Sequence, residues 1–378
     1  MTPPPHSATA AAEAAPAECR TVVSTGGARL HVHVSGAPAP APTVVLAHGW
    51  TCDTTFWDEV TALLAAGHRV VRYDQRGHGR SAPTPGNYGT EELADDLCAV
   101  LEATTAPGER VVVGGHSMGG MTIVAAAGRE PFRERVAAAM LCSTGMGRLS
   151  TEARVMPFRS ARLREPFQRA LMSSPLPLGP ANPAGAHALH YVTLGPGAPA
   201  RLRERVARMV HACPRRTRSE WGRVLNDLAL TEGLAELTVP TVVVHGSADR
   251  LTPPVHAHRM AAALPDCEGP VLLHGRGHMT PMEDPAAIAG LLRALARRHV
   301  TEGTEGAEGA DGRDGEGGPA TDGGSVVAAA GLTVSVDGGR GPVAVGAGPG
   351  DARGARQGDE APDGEAPVDD PAHEEERG

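Results

Sequence analysis

Six short, continuous runs of Val, Leu and Ala, separated by amphipathic stretches, limit the folds open to this chain more than any other feature. They are Thr43–Ala47, Arg69–Tyr73, Arg110–Gly114, Val136–Cys142, Thr241–His245 and Pro270–His274. A strand that is apolar at every position has both faces covered, which is the habit of parallel sheets. The intervening segments Phe56–Ala66, Glu91–Ala103, Met118–Arg129, Val255–Ala263 and Pro285–Arg298 read as helices. Strand and helix alternate, so the chain is expected to form an α/β fold with a mainly parallel sheet between two helical layers. Near the start, Leu30-His31-Val32-His33-Val34 alternates like a half-exposed strand and pairs in expectation with Thr21–Ser24 as an antiparallel edge hairpin. The sheet then has about eight strands.

The rhythm breaks between residues 148 and 236. This stretch holds no convincing strand, only helix-like runs such as Glu152–Arg164, Ala200–His211 and Arg218–Leu228, divided by Pro and Gly. It predicts a helical lid inserted into a core formed by residues 21–147 and 237–300.

Chemistry concentrates after the strands. Val111-Val112-Val113 leads into Gly115-His116-Ser117-Met118-Gly119 and a helix. A serine on so sharp a strand-to-helix turn is backbone-strained, so Gly115 and Gly119 must be small. The turn sets the hydroxyl beyond the sheet edge, at a helix N-terminus that favours negative charge. A hydroxyl needs a base to become a nucleophile. Downstream, Asp249 follows the strand Thr241–His245, and His278 follows the strand ending near His274. Sites in open α/β sheets lie at the carboxyl ends of strands, so all three groups are aimed at one place. Ser117, His278 and Asp249 are therefore the candidate nucleophile, base and orienting acid. The plainer alternatives are a turn or cap role for Asp249, beside Thr252-Pro253-Pro254, and a surface-loop role for His278. Oxyanion donors are expected from the amides of Met118 and Trp50. Trp50 lies in the His48-Gly49-Trp50 loop, where Gly49 permits close backbone approach.

Taken together, His48-Gly49-Trp50, Asp74–Ser81, Gly115–Gly120, Asp249 and Gly277-His278 resemble the α/β-hydrolase superfamily, in particular its bacterial esterases and cofactor-free haloperoxidase-like members. The resemblance spans about Val22 to Arg298. It implies a serine hydrolase acting on a small-molecule ester or related acyl bond through an acyl-enzyme, with neither cofactor nor metal. It also makes Asp74–Ser81 a structural turn near the entrance. Relatives that dehalogenate or open epoxides use an Asp nucleophile; this chain has Ser117. A lactonase, a thioesterase or a C–C bond hydrolase keeps the same three residues, and a non-catalytic ligand-binding protein is the alternative from another class.

The ends of the chain differ from its body. Residues 1–20 read as a loose leader rich in Pro and Ala, without the basic start and apolar stretch of a signal peptide. From Thr301 to Gly378 there are 18 acidic residues against 5 Arg, amid abundant Gly, and this segment reads as a disordered acidic tail. Within it Val326–Val336 has short apolar patches between Gly-rich flanks. With the acidity confined to the tail, the body is close to neutral, which argues against nucleic-acid binding. The six cysteines contain no C-x-x-C pair and read as small core residues, not a disulfide framework. No run approaches the roughly 18 apolar residues of a membrane span, and a cytoplasmic location is expected. His31-x-His33 and His256-x-His258 lack a third ligand at matching spacing and read as solvated polar positions. The particular substrate and the oligomeric state are not legible from these residues.

Overall fold

The computed structural model describes residues 15–156, 160–177, 183–302, 325–330, 333–335 and 343–346. Its centre is a sheet of ten strands: β1 (Ala15–Val23), β2 (Arg29–Gly36), β3 (Thr43–Ala47), β4 (Arg69–Tyr73), β5 (Val111–His116), β6 (Val136–Cys142), β7 (Thr241–Gly246), β8 (Cys267–Leu273), β9 (Thr333–Ser335) and β10 (Val343–Gly346). Their spatial order is β1-β2-β4-β3-β5-β6-β7-β8-β10-β9. The six central strands β4, β3, β5, β6, β7 and β8 run parallel, flanked by the antiparallel β1–β2 pair at one edge. The first eight strands are those expected.

Alternate residues of each central strand feed two cores. Val45, Ala47, Val111 and Val113 pack on one face with α2 (Thr90–Thr104), α3 (Met118–Ala126) and α10 (Val255–Ala263). Val44, Leu46 and Val112 pack on the other with α1 (Asp58–Leu64) and α12 (Pro285–Ala296). Both faces are buried, which is why these strands are apolar throughout.

Between β6 and β7 the chain forms α5 (Leu149–Glu152), α6 (Ala161–Met172), α7 (Pro183–Thr193), α8 (Ala200–Ala212) and α9 (Arg215–Asn226). This helical insertion occupies the stretch singled out by sequence, but its helices begin elsewhere. The run expected to be helical from Glu152 to Arg164 is divided: α5 ends at Glu152 and α6 begins at Ala161, with Pro157 between them. The residue before a proline is disfavoured in helix. α6 then carries Pro166 inside it, at the loss of one backbone hydrogen bond. α7 carried no clear signal in the sequence.

Both termini differ from expectation where they are described. The leader is strand from Ala15 onward, because its backbone pairs with β2 as far as Gly36. Ala17, Glu18 and Cys19 are exposed, so the pairing leaves no apolar signature. In the tail, Val326 and Val327 are buried in a short helix, α13 (Val326–Ala329), packed against α12 and β8, and β10 adds to the edge of β8 in parallel. The Gly-rich flanks concealed this, since only two large apolar side chains anchor the helix. The remainder of the leader and tail lies outside the described residues.

Candidate active site

Ser117 sits at the junction of β5 and α3 with φ +51° and ψ −117°, outside the regions open to an unstrained side chain. Tight surroundings hold it there. The Ser117 amide donates to Cys142 O at 3.0 Å, and Thr144 Oγ1 donates to Ser117 O at 2.7 Å. A methyl group on Gly115 would collide with the backbone of Gly119, and one on Gly119 with the backbone of Ala47. Both glycines are thus required for α3 to leave β5 at this angle.

Asp249 and His278 come from the loops after β7 and β8, and His278 Nδ1 lies 2.8 Å from Asp249 Oδ2. The Asp249 carboxylate is buried and accepts from Leu251 N, Thr252 N and Thr252 Oγ1 at 2.8, 3.0 and 2.9 Å. Burial alone would raise its pKa; the neighbouring His278 and hydrogen bonds from His245 and His278 reverse this and hold it well below the usual carboxylate range. The His278 main chain is fixed as well. Its amide donates to Thr193 O at 2.9 Å, and its carbonyl accepts from His116 Nε2 at 2.9 Å. An imidazole that donates Nδ1–H to a carboxylate carries its lone pair on Nε2. His278 and Ser117 line the same cavity, of about 570 Å³, together with Trp50, Met121, Leu149 and Leu225.

The His48-Gly49-Trp50 loop closes on the serine. A methyl group on Gly49 would lie 3.0 Å from Ser117 Cβ and 2.7 Å from His116 Nδ1. His48 is buried, with Nδ1 donating to Gly49 O at 2.8 Å and Nε2 accepting from Gln75 N at 3.0 Å. Met118 opens α3, so its amide is among the first N–H groups that no helical carbonyl can reach. Asp74–Ser81 is a braced turn: Asp74 accepts from Thr54 N and Arg80 N at 2.7 and 2.9 Å, and the buried Arg76–Asp96 pair closes at 2.6 Å.

Several supporting residues had no sequence signal. Thr252 Oγ1 bonds Asp249 and also lies 3.2 Å from His278 Nδ1. His245 Nε2 sits 3.3 Å from Asp249 Oδ2. Glu283 ties the His278 loop to the insertion, accepting from Gly277 N at 2.9 Å and Gly195 N at 2.7 Å. His116 stacks on Phe56 at 4.4 Å, and burial beside His278 keeps its pKa well below the ordinary value. Next to Glu283, Asp284 caps α12, accepting from Ala287 N. Among the described residues no group of three or more His, Cys, Asp or Glu side chains is arranged to hold a metal. No helix among them is long and apolar enough to cross a membrane.

A doubly covered parallel sheet with a strained serine after its central strand, facing loops after two later strands, defines a hydrolase of the α/β type. The chain belongs to the alpha/beta hydrolase family, whose model matches residues 44–291. It is 32% identical over 279 residues, 71% of this chain and 96% of the relative, to RutD of Variovorax paradoxus, named as a carbamate hydrolase. Its fold is similar to that of an esterase from Thermogutta terrifontis, with a TM-score of 0.61 and 24% identity, covering 75% of this chain and 99% of the other. A bromoperoxidase from Bacillus anthracis is also similar, with a TM-score of 0.60 and 17% identity over 74% of this chain and all of the other. The protein is an enzyme with hydrolytic activity of the α/β-hydrolase kind.

Proposed function

We propose that the enzyme cleaves carboxylic esters of small molecules through an acyl intermediate on Ser117. The observation that carries this reading is the conjunction of a strained Ser117 and an Asp249-paired His278 on one cavity. His278 Nε2 takes the serine proton as Oγ attacks the carbonyl; Asp249 holds the imidazole in the required tautomer and stabilises its charge. The amides of Trp50 and Met118 receive the developing oxyanion, a role supported by the approach of Gly49 to Ser117 and by the position of Met118 at the head of α3. His278 then protonates the departing alkoxide and activates the water that frees the acid.

Loss of the hydroxyl removes the covalent step, so Ser117→Ala is expected to lower turnover by about 10⁴–10⁶-fold while leaving the fold intact. Hydrolysis of p-nitrophenyl acetate and butyrate, with labelling by a fluorophosphonate probe, tests this. If the variant kept a tenth of wild-type activity, Ser117 would not be the nucleophile; an unlabelled wild-type serine would favour a binding protein. The similarity to RutD supports a second reading, in which the scissile acyl group belongs to a carbamate. Carbamates, lactones and thioesters assayed beside the esters distinguish these within the same mechanism.

A further inference from the structure

The helical insertion brings one guanidinium to a largely apolar cavity. Arg218 of α9 is only 4% exposed, lines the cavity that holds Ser117 and His278, and has no ion-pair partner among the described residues. Its Nη2 donates to the carbonyls of Ser174, at 3.3 Å, and Leu176, whereas Nε and Nη1 have no acceptor among the described residues. No acid is at hand. Glu220 is engaged by Gly86 N at 3.1 Å and pairs with Arg216 at 3.6 Å, while the stretches 157–159 and 178–182 of the insertion contain no Asp or Glu. Burial pulls the guanidinium below its ordinary pKa, and no neighbouring carboxylate restores it. A buried, half-satisfied cation is costly.

A second polar group in the same cavity is also incomplete. Gln168 of α6 is 2% exposed and donates from Nε2 to Ser150 O at 2.6 Å, while its Oε1 has no donor. Arg218 and Gln168 thus share one cavity, which Leu149, Leu171, Met172 and Leu225 line as well. Arg218 O accepts from the indole Nε1 of Trp50 at 3.1 Å, so the guanidinium belongs to the residue that braces the loop beside Ser117.

We propose that Arg218 determines specificity by receiving a carboxylate of the substrate, so that the preferred ester is a monoanion with its charge remote from the scissile carbonyl. The proposal rests on Ser117 being the nucleophile. Arg218 is the single Arg on the cavity lining among the described residues, which matches one negative charge; a phosphate dianion would be left half-neutralised. With both Nη2 protons engaged by Ser174 O and Leu176 O, Nε–H or an Nη1–H is left to donate to one carboxylate oxygen.

The test compares carboxylates with their near-isosteric primary amides. One pair places the charge on the acyl side, p-nitrophenyl hydrogen adipate against p-nitrophenyl adipamate. The other places it on the leaving group, 4-carboxyphenyl acetate against 4-carbamoylphenyl acetate. In at least one pair the wild-type enzyme is expected to favour the carboxylate in kcat/KM by about 10²-fold, the scale of a charge-assisted hydrogen-bonding site. Arg218→Gln is expected to abolish that ratio, and Arg218→Lys to retain part of it. If the variants fail to fold, the wild-type ratio alone decides. Equal kcat/KM within both pairs, with Ser117 still labelled by a fluorophosphonate, overturns the role of Arg218 and leaves the nucleophile standing. No hydrolysis of either pair, with no label on Ser117, overturns the nucleophile and the proposal together.

Discussion

At the scale of single residues, the proposed orienting acid offers the sharpest test, because Glu283 and Asp284 as well as Asp249 stand within reach of the His278 loop. Asp249 is buried against His278, whereas Asp284 caps α12 and pairs with Arg276 at 3.1 Å. An amide at 249 can still bond the ring, but it favours the wrong tautomer and cannot balance an imidazolium. Asp249→Asn is therefore expected to fold and to lose about 10⁴-fold in turnover at neutral pH, by analogy with serine proteases. Asp284→Asn is expected to cost about 1 kcal/mol or less in stability and little activity, since Asn also caps helices. Ester turnover of the two purified variants decides the matter; collapse in Asp284→Asn alone would transfer the role. The positions of Ser117, Asp249 and His278 were legible because each follows a recognisable strand. Arg218 was not. It stands in an Arg-rich helix whose sequence reads more readily as a solvated face than as an anion site, and only packing shows which arginine turns inward.

At the scale of elements, α13 and β10 change what the tail is expected to do. Val326 and Val327 are buried against α12, and Glu268 Oε2 accepts from both Ser325 Oγ and Val326 N at 2.8 Å. Burying two valines stabilises by about 3–6 kcal/mol in gross terms, and the entropy of ordering the segment offsets part of that. A chain ending at Thr301 is thus expected to melt several degrees lower than the full chain, with ester turnover unchanged because α13 and β10 contribute nothing to the cavity lining. Differential scanning calorimetry of the two chains checks this. Coincident melting temperatures would mean that these contacts add no net stability. The segment was hard to read because a four-residue helix and two strands of three and four residues carry almost no periodic signal. The long helix α2 was easy for the opposite reason. Leu93, Leu97, Val100 and Leu101 recur on one face over fifteen residues.

At the scale of the whole molecule, the buried histidines set how the fold responds to acid. His256, expected from the sequence to be solvated, is buried, which lowers its pKa to about 4; burial lowers that of His78 to about 3 and moves His116 well below its ordinary 6.5. Below pH 6.5 the unfolded chain takes up protons that the native state refuses. Stability from these groups is therefore complete above about pH 6.5 and is lost as the pH falls toward 4 and 3, at about 1.4 kcal/mol per pH unit for each group. Thermal melts at pH 7.5, 6.5 and 5.5 are expected to show a plateau followed by a fall. A melting temperature unchanged down to pH 5 would mean that these rings protonate within the folded protein.

The sequence by itself determined the layered fold, since strands apolar at every position have no stable place except between two helical layers. It also determined the order of Ser117, Asp249 and His278 and the loops that carry them, because a strand end and a glycine-bounded turn are local features. Only the tertiary structure decided how those loops are held: His116 on the His278 carbonyl, Thr252 between Asp249 and His278, and Glu283 across to Gly195. It likewise decided which side chains of the insertion face the cavity. These contacts join residues up to 162 positions apart, and no local spacing encodes a partner that arrives only when the sheet has closed.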